Sequence, residues 1–228
     1  SMEIDSVRSI YSPNPSSNPD REVFRPKYIA ANLFTFTPWR KLNLSIGNSI
    51  VYSDMNVHPA YLIPVMFYKS IDHTLNQGID NQNSQMFFDV SSRNIKNVHL
   101  YGTVYIDELK LDRIGNSDEY NFWSTKLGVK TTNLLVKNLW INVEYAMSMP
   151  ITYEHRVPTL TYASNYYNMG WYMRDNSQEI YVAAGDKPIR GLHLRAYYML
   201  AQHGPDYPYE LDGTVTSHPF MERVVWEN

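Results

Sequence analysis

Apolar residues recur along most of this chain with a period of two. In residues 41–52, Leu42, Leu44, Ile46 and Ile50 alternate with Asn43, Ser45, Gly47 and Ser49. Successive side chains of a strand point to opposite faces, so this segment has one greasy side and one small, polar side. The pattern returns in residues 97–107, where Val98, Leu100, Val104 and Ile106 alternate with His99, Tyr101, Thr103, Tyr105 and Asp107. In residues 135–147, Leu139, Ile141, Val143 and Tyr145 oppose Asn138, Trp140, Asn142 and Glu144. In residues 191–202, Leu192, Leu194, Ala196, Tyr198 and Leu200 oppose His193, Arg195, Tyr197 and Met199. Shorter segments at 28–37, 85–92, 121–130, 179–186 and 220–226 bring the expectation to nine or ten strands.

Several of these segments run 11–14 residues. Strands of soluble sheets average about 5–6, whereas a tilted strand needs about 9–11 to cross a bilayer. Short connectors at 94–97 and 186–191 read as tight turns, and Asn/Asp/Gly-rich stretches at 77–82 and 115–120 read as longer loops. Short turns at one end and long loops at the other are expected of an outer-membrane barrel. Residues 1–26 are rich in Ser, Pro and Asn and read as a loop or linker ahead of a partial barrel over 27–228. Residues 58–73 break the alternation: Leu62, Val65, Met66 and Lys69 have near-helical spacing, which predicts a short helix or plug-like insert at the barrel mouth.

Composition narrows the setting. Nineteen Tyr and five Trp are an unusual load of aromatics with one apolar and one wet end. Membrane girdles and sugar-binding surfaces both use such rings, and a Tyr-rich soluble sandwich is the alternative. The net charge of −3 gives no basic field for nucleic acid. With no cysteine there is no disulfide framework, thiol nucleophile or thiolate zinc site. No stretch approaches the ~20 apolar residues of a membrane helix, and the start lacks the charged and apolar regions of a signal peptide.

Candidate chemistry is sparse. The seven His show no ligand spacing, so no metal site is expected. No phosphate-binding Gly-rich loop or nucleophile-elbow sequence occurs, and no cofactor is implied. Asp107 and Glu108 are neighbours on one strand and point to opposite faces, so they cannot form a glycosidase pair with each other. Glu144 or Glu179 facing Asp107 is instead read as part of an ion-pair ladder with Arg195 or Lys126. No catalytic residue is assigned and the chain is read as no enzyme.

Three stretches, in order, carry a resemblance. They are Tyr61-Leu62-Ile63-Pro64-Val65-Met66-Phe67-Tyr68-Lys69-Ser70-Ile71-Asp72-His73 with Asp80-Asn81; Leu100-Tyr101-Gly102-Thr103-Val104-Tyr105-Ile106-Asp107-Glu108; and Lys187-Pro188-Ile189-Arg190-Gly191-Leu192-His193-Leu194-Arg195 with Ala201-Gln202-His203-Gly204. The run Asp175-Asn176-Ser177-Gln178-Glu179-Ile180-Tyr181 precedes the last. Together they resemble the capsule assembly protein Wzi family in its Bacteroidetes form, over roughly residues 28–226. The resemblance implies an all-β, antiparallel transmembrane β-barrel of roughly 18 strands in the bacterial outer membrane. It also implies a lectin-like role in attaching or organising capsular or surface polysaccharide, without catalysis. A diverged outer-membrane channel or assembly component, and a soluble β-sandwich carbohydrate-binding module, are the alternatives.

About half of such a barrel's strands are counted here. The expectation is that the remaining strands belong to a longer protein; strands from another chain, or a soluble self-associating sheet, are the other options. Partners expected are surface polysaccharide, outer-membrane lipid and other outer-membrane proteins. For sugar stacking the aromatic segment 152–175 offers Tyr162, Tyr166, Tyr167, Trp171 and Tyr172, although such rings also serve simply to pack a loop. Asn142, Glu144 and Arg195 are expected to brace a polar lumen.

Overall fold

The alternating segments become strands in a computed structural model that describes residues 2–7, 21–53, 56–75, 81–114, 121–133, 136–155, 157–164 and 167–204. They are β1 (Met2–Val7), β2 (Arg21–Trp39), β3 (Leu42–Ser53), β4 (Gln82–Ser92), β5 (Val98–Glu108), β6 (Phe122–Thr132) and β7 (Trp140–Ser148). Two-residue strands β8 (Ala163–Ser164) and β9 (Tyr167–Asn168) pair with each other, and β10 (Ser177–Ile189) and β11 (Leu192–His203) complete the set. The large sheet is an antiparallel meander in the order β1-β2-β3-β4-β5-β6-β7-β10-β11. The chain is thus all-β, with a single α-helix among the described residues, α1 (Tyr68–Leu75). That helix is far too short to cross a membrane.

Register gives the sheet two chemically different faces. One row runs Phe36, Leu44, Val90, Gly102, Leu127, Tyr145, Ile180, Leu200 across eight strands. The next row, one residue along, runs Thr35, Ser45, Asp89, Thr103, Lys126, Ala146, Glu179, Ala201. A slip of one residue in any pairing would send apolar side chains to the polar face, so the alternation itself pins the register. The apolar face is left open: Phe36 is 52% exposed, Leu127 54% and Ile180 44%. Strands β3 to β7, β10 and β11 have 9 to 13 residues each.

The connections divide between two rims. At one, short turns join β2 to β3, β4 to β5, β6 to β7 and β10 to β11. Positive φ angles at Lys41, Asn97, Asn133, Asn138 and Gly191 close them, mostly with residues that tolerate the left-handed region. At the other rim the links between β3 and β4, β5 and β6, and β7 and β10 are long. Among the described residues β11 pairs only with β10, and the stretch of β2 from Lys27 to Trp39 only with β3, so the sheet is open. The described residues thus form an open antiparallel sheet, in keeping with the expected count of about half a barrel's strands, and no closed barrel.

Two expectations are corrected. Residues 1–26 are not a loop throughout, because Met2–Val7 pairs with the start of β2 from Arg21 to Pro26. The Ser/Pro/Asn-rich centre carries the loop signal, while the flanks are too short for a periodicity to be read; residues 8–20 lie outside the described set. The helical insert is no plug on the polar side. Tyr61 and Tyr68 pack on Ile50 and Tyr52, whose side chains share the apolar face. The Tyr68 N–H donates to Asn48 Oδ1 at 2.9 Å, and Asn32 Nδ2 donates to the Met66 carbonyl at 2.8 Å. The insert and the apolar row therefore lie on one side of the sheet. The expected strand at 220–226 falls outside the described residues.

Candidate functional site

The polar face is built around aromatic rings lying over glycines. On β6, Gly128 leaves room for the Tyr101 ring; a Cβ there would stand 2.2 Å from Tyr101 Cζ. On β10, Gly185 does the same beneath Trp140. The Tyr101 hydroxyl then donates to Glu144 and lies 3.1 Å from Asn142 Oδ1, while Asn142 Nδ2 donates to Glu144 at 3.2 Å. Lys126 Nζ completes the group at 2.9 Å from the other Glu144 oxygen. Of the two ladders expected for Glu144, the one with Lys126 is formed. Arg195 instead lies over the Trp140 ring at 5.8 Å, with Lys130 over the same ring at 5.5 Å. All three expected lumen residues, Asn142, Glu144 and Arg195, do sit on this face.

Toward the long-loop rim the polar face is roofed by the link between β7 and β10. The link leaves β7 through Ile151, a buried β-branched residue at φ 66°. Its N–H donates to Asp175 Oδ2 at 2.6 Å, so one carboxyl ties the start of the link to its end. Burial pushes the Asp175 carboxyl above the ordinary carboxylate range, against the opposing pull of that backbone donor. Farther on, Tyr153 donates to Ser124 Oγ at 2.7 Å, and the Tyr153 and Tyr162 rings flank Tyr105 with centroids 5.2 and 5.4 Å away. The Ser53 and Thr159 hydroxyls meet at 3.0 Å, Asn83 Nδ2 reaches the Leu160 carbonyl, and Lys27 Nζ donates to the Thr161 carbonyl. Burial raises the pKa of both Tyr153 and Tyr162, so their hydroxyls stay protonated well above neutral pH.

Between this roof and the sheet lies a half-open cleft of about 350 Å³. Its aromatic wall is Phe87, Tyr162 and Trp171, and its polar floor is Asp89, Thr103 and Lys126. Thr103 Oγ1 donates to Asp89 Oδ1 at 2.6 Å. The Tyr105 hydroxyl, buried at the back, has no hydrogen-bond partner among the described residues. A cleft with ring faces on one side and hydroxyl, carboxylate and ammonium groups on the other suits a polyhydroxylated ligand: rings stack on C–H faces while polar groups meet hydroxyls.

The five aromatic candidates do not act as one patch. Tyr162 is half-buried in the roof's own packing, Trp171 lines the cleft, and Tyr167 and Tyr172 are 80% and 66% exposed on the rim. The Tyr172 hydroxyl also donates to Glu179. Tyr166 lies outside the described residues. Sequence reasoning missed the floor. Asp89, Thr103 and Lys126 lie on three strands, and only their shared parity with Tyr101 and Tyr105 along the alternation pointed to one face. Among the described residues no three His, Asp or Glu side chains converge as metal ligands. Asp107 is half-buried on β5, while Glu108 pairs with Lys110 at 2.9 Å and Arg113 at 3.5 Å.

No protein-family model, curated protein or solved structure matches this chain.

Proposed function

We propose that this sheet is part of the wall of an outer-membrane β-barrel, with its apolar face toward lipid and its polar face toward the lumen, and that it holds surface polysaccharide at the long-loop rim. The observation that carries the membrane half of this reading is the apolar row itself. Across the strands this face leaves Phe36, Val90, Leu127, Ile180 and Leu200 exposed, the kind of apolar surface that marks a lipid or protein contact. The opposite face is polar, with a Lys–Glu–Tyr–Asn cluster, as a barrel interior is. Strand lengths and the division into short-turn and long-loop rims support the same reading. In it the open edges at β2 and β11 continue into further strands, since unpaired backbone in hydrocarbon costs several kcal/mol per group.

The polysaccharide half draws on the resemblance to the Wzi family and on the cleft beneath the β7–β10 link. In this reading Trp171 stacks on a sugar face, Tyr167 and Tyr172 extend the surface outward, and Asp89, Thr103 and Lys126 meet sugar hydroxyls. No bond is made or broken. The full-length protein is expected to need detergent for extraction and to migrate differently on gels before and after heating; a freely soluble monomer would overturn the membrane reading. A Trp171→Ala protein that still inserts is expected to lose surface polysaccharide, measured as polymer retained per cell. Unchanged retention removes the cleft from the role.

A further inference from the structure

The four short connections share a composition that a hydrated turn does not require. Trp39-Arg40-Lys41 joins β2 to β3, and Arg93-Asn94-Ile95-Lys96 joins β4 to β5. Val136-Lys137 lies between β6 and β7, and Lys187-Pro188-Ile189-Arg190 leads from β10 to β11. Each one exposes a large apolar side chain: Trp39 by 70%, Ile95 by 58%, Val136 by 58% and Ile189 by 65%. Each also exposes one or two cations beside it, seven in all. Turns facing only water are served by Asn, Gly and Asp, and gain nothing from an exposed Trp or Ile.

Among the described residues these cations form no ion pair: the pairs there join Lys110 and Arg113 to Glu108 and Lys126 to Glu144, none of them in these connections. Asp186 is the one carboxylate within reach of them in sequence. A chain of net charge −3 has therefore gathered seven cations along one rim. Two of their apolar neighbours are continuous with the apolar row: Trp39 pairs with Leu42, and Ile189 with Leu192, at the last register positions before their turns. Hydrocarbon on one side and anions on the other describe a single environment, the boundary between acyl chains and headgroups, where aromatic rings settle and Lys and Arg reach outward to phosphate.

We infer that the short-turn rim is a docking ring for the phosphate headgroups of the leaflet it meets. Trp39, Ile95, Val136 and Ile189 enter the acyl boundary, and Arg40, Lys41, Arg93, Lys96, Lys137, Lys187 and Arg190 pair with lipid phosphates. The inference rests on the reading of the sheet as barrel wall, and adds to it a preference for anionic lipid at one rim.

The test is binding of the full chain to vesicles of phosphatidylcholine alone and of an equal mixture with phosphatidylglycerol, read by flotation. The parent is expected to prefer the mixed vesicles, and raised salt to remove the preference. Replacing Arg40, Lys41, Arg93, Lys96, Lys187 and Arg190 by Gln is expected to weaken binding to the mixed vesicles by about fivefold per cation, while binding to neutral vesicles persists. Circular dichroism establishes that the Gln variant keeps its β content. A second variant, Lys41→Arg with Lys96→Arg and Lys187→Arg, keeps the charge and is expected to bind as the parent does. A parent that binds both vesicles equally, or a Gln variant that keeps the preference, overturns the ring alone. A parent that binds neither overturns the membrane reading and the ring with it.

Discussion

Gly128 shows how far one hydrogen atom in place of a methyl group organises the polar face. The Tyr101 ring occupies the space a side chain would fill, and its hydroxyl is thereby delivered to Glu144 and Asn142. Gly128→Ala pushes the ring aside and breaks that delivery, for an expected loss of about 1–3 kcal/mol, read as a lower urea midpoint. Tyr101→Ala in the same background removes the clash, so the two changes together are expected to cost less than their sum. Strict additivity would mean that the ring does not depend on the glycine. Asp175 makes a second residue-scale prediction. Its folded pKa is raised, so the folded link binds a proton at a pH where the unfolded chain has already lost it. The stabilisation is fully present below the ordinary carboxylate pKa and is lost as pH rises through the raised folded value. Protease cleavage within residues 149–176 is expected to quicken as pH climbs through that window. Asp175→Asn retains an acceptor for the Ile151 N–H and is expected to flatten this dependence; an unchanged pH profile would place its origin elsewhere.

Elements differ in what holds them, and this decides how much of each was legible beforehand. Strands β3, β5, β7 and β11 follow from alternation alone, because Leu44 beside Ser45, or Val143 beside Glu144, has only one orientation that keeps the two faces distinct. The face on which an insert lies is another matter. The spacing of Leu62, Val65 and Met66 announces a helical turn but not its neighbour, and the neighbour is set by Asn32 and Asn48, which reach its backbone from the apolar side of β2 and β3. The roof over the cleft was illegible for a similar reason. Its rings meet Tyr105 across some fifty residues of chain, and the Tyr content of the segment fits a rim platform equally well. The consequence for the insert is testable. Tyr68 is 2% exposed and packs edge-on against Tyr61 at 5.7 Å, so Tyr68→Ala is expected to cost about 3–5 kcal/mol locally. Hydrogen exchange should then quicken in residues 56–75 while β5 to β7 keep their protection. Loss of protection across the whole sheet would show that the insert is integral to folding rather than applied to its surface.

For the molecule as a whole, everything turns on what touches the apolar face, and one substitution separates the possibilities. Leu127 sits in the middle of the apolar row, 54% exposed and flanked across the strands by Gly102 and Tyr145. If that face meets water, Leu127→Arg is neutral or improves solubility, because an exposed arginine is fully hydrated. If it meets the hydrocarbon core, the same change places a guanidinium near the bilayer midplane, at a cost of about 2–4 kcal/mol. Ser45→Arg is the matching control: it lies on the polar row opposite Asp89, where a cation gains a partner in either setting. The lipid-facing reading requires Leu127→Arg to lower folded stability in bilayers by a factor of about 30 or more while Ser45→Arg leaves it nearly unchanged, both measured by reversible unfolding of the full chain from vesicles. Equal behaviour of the two variants would mean that the apolar row is covered by protein or water instead. The short-turn cations, the cleft and the polysaccharide role would then each need a different molecular setting, because all three take their orientation from that one face.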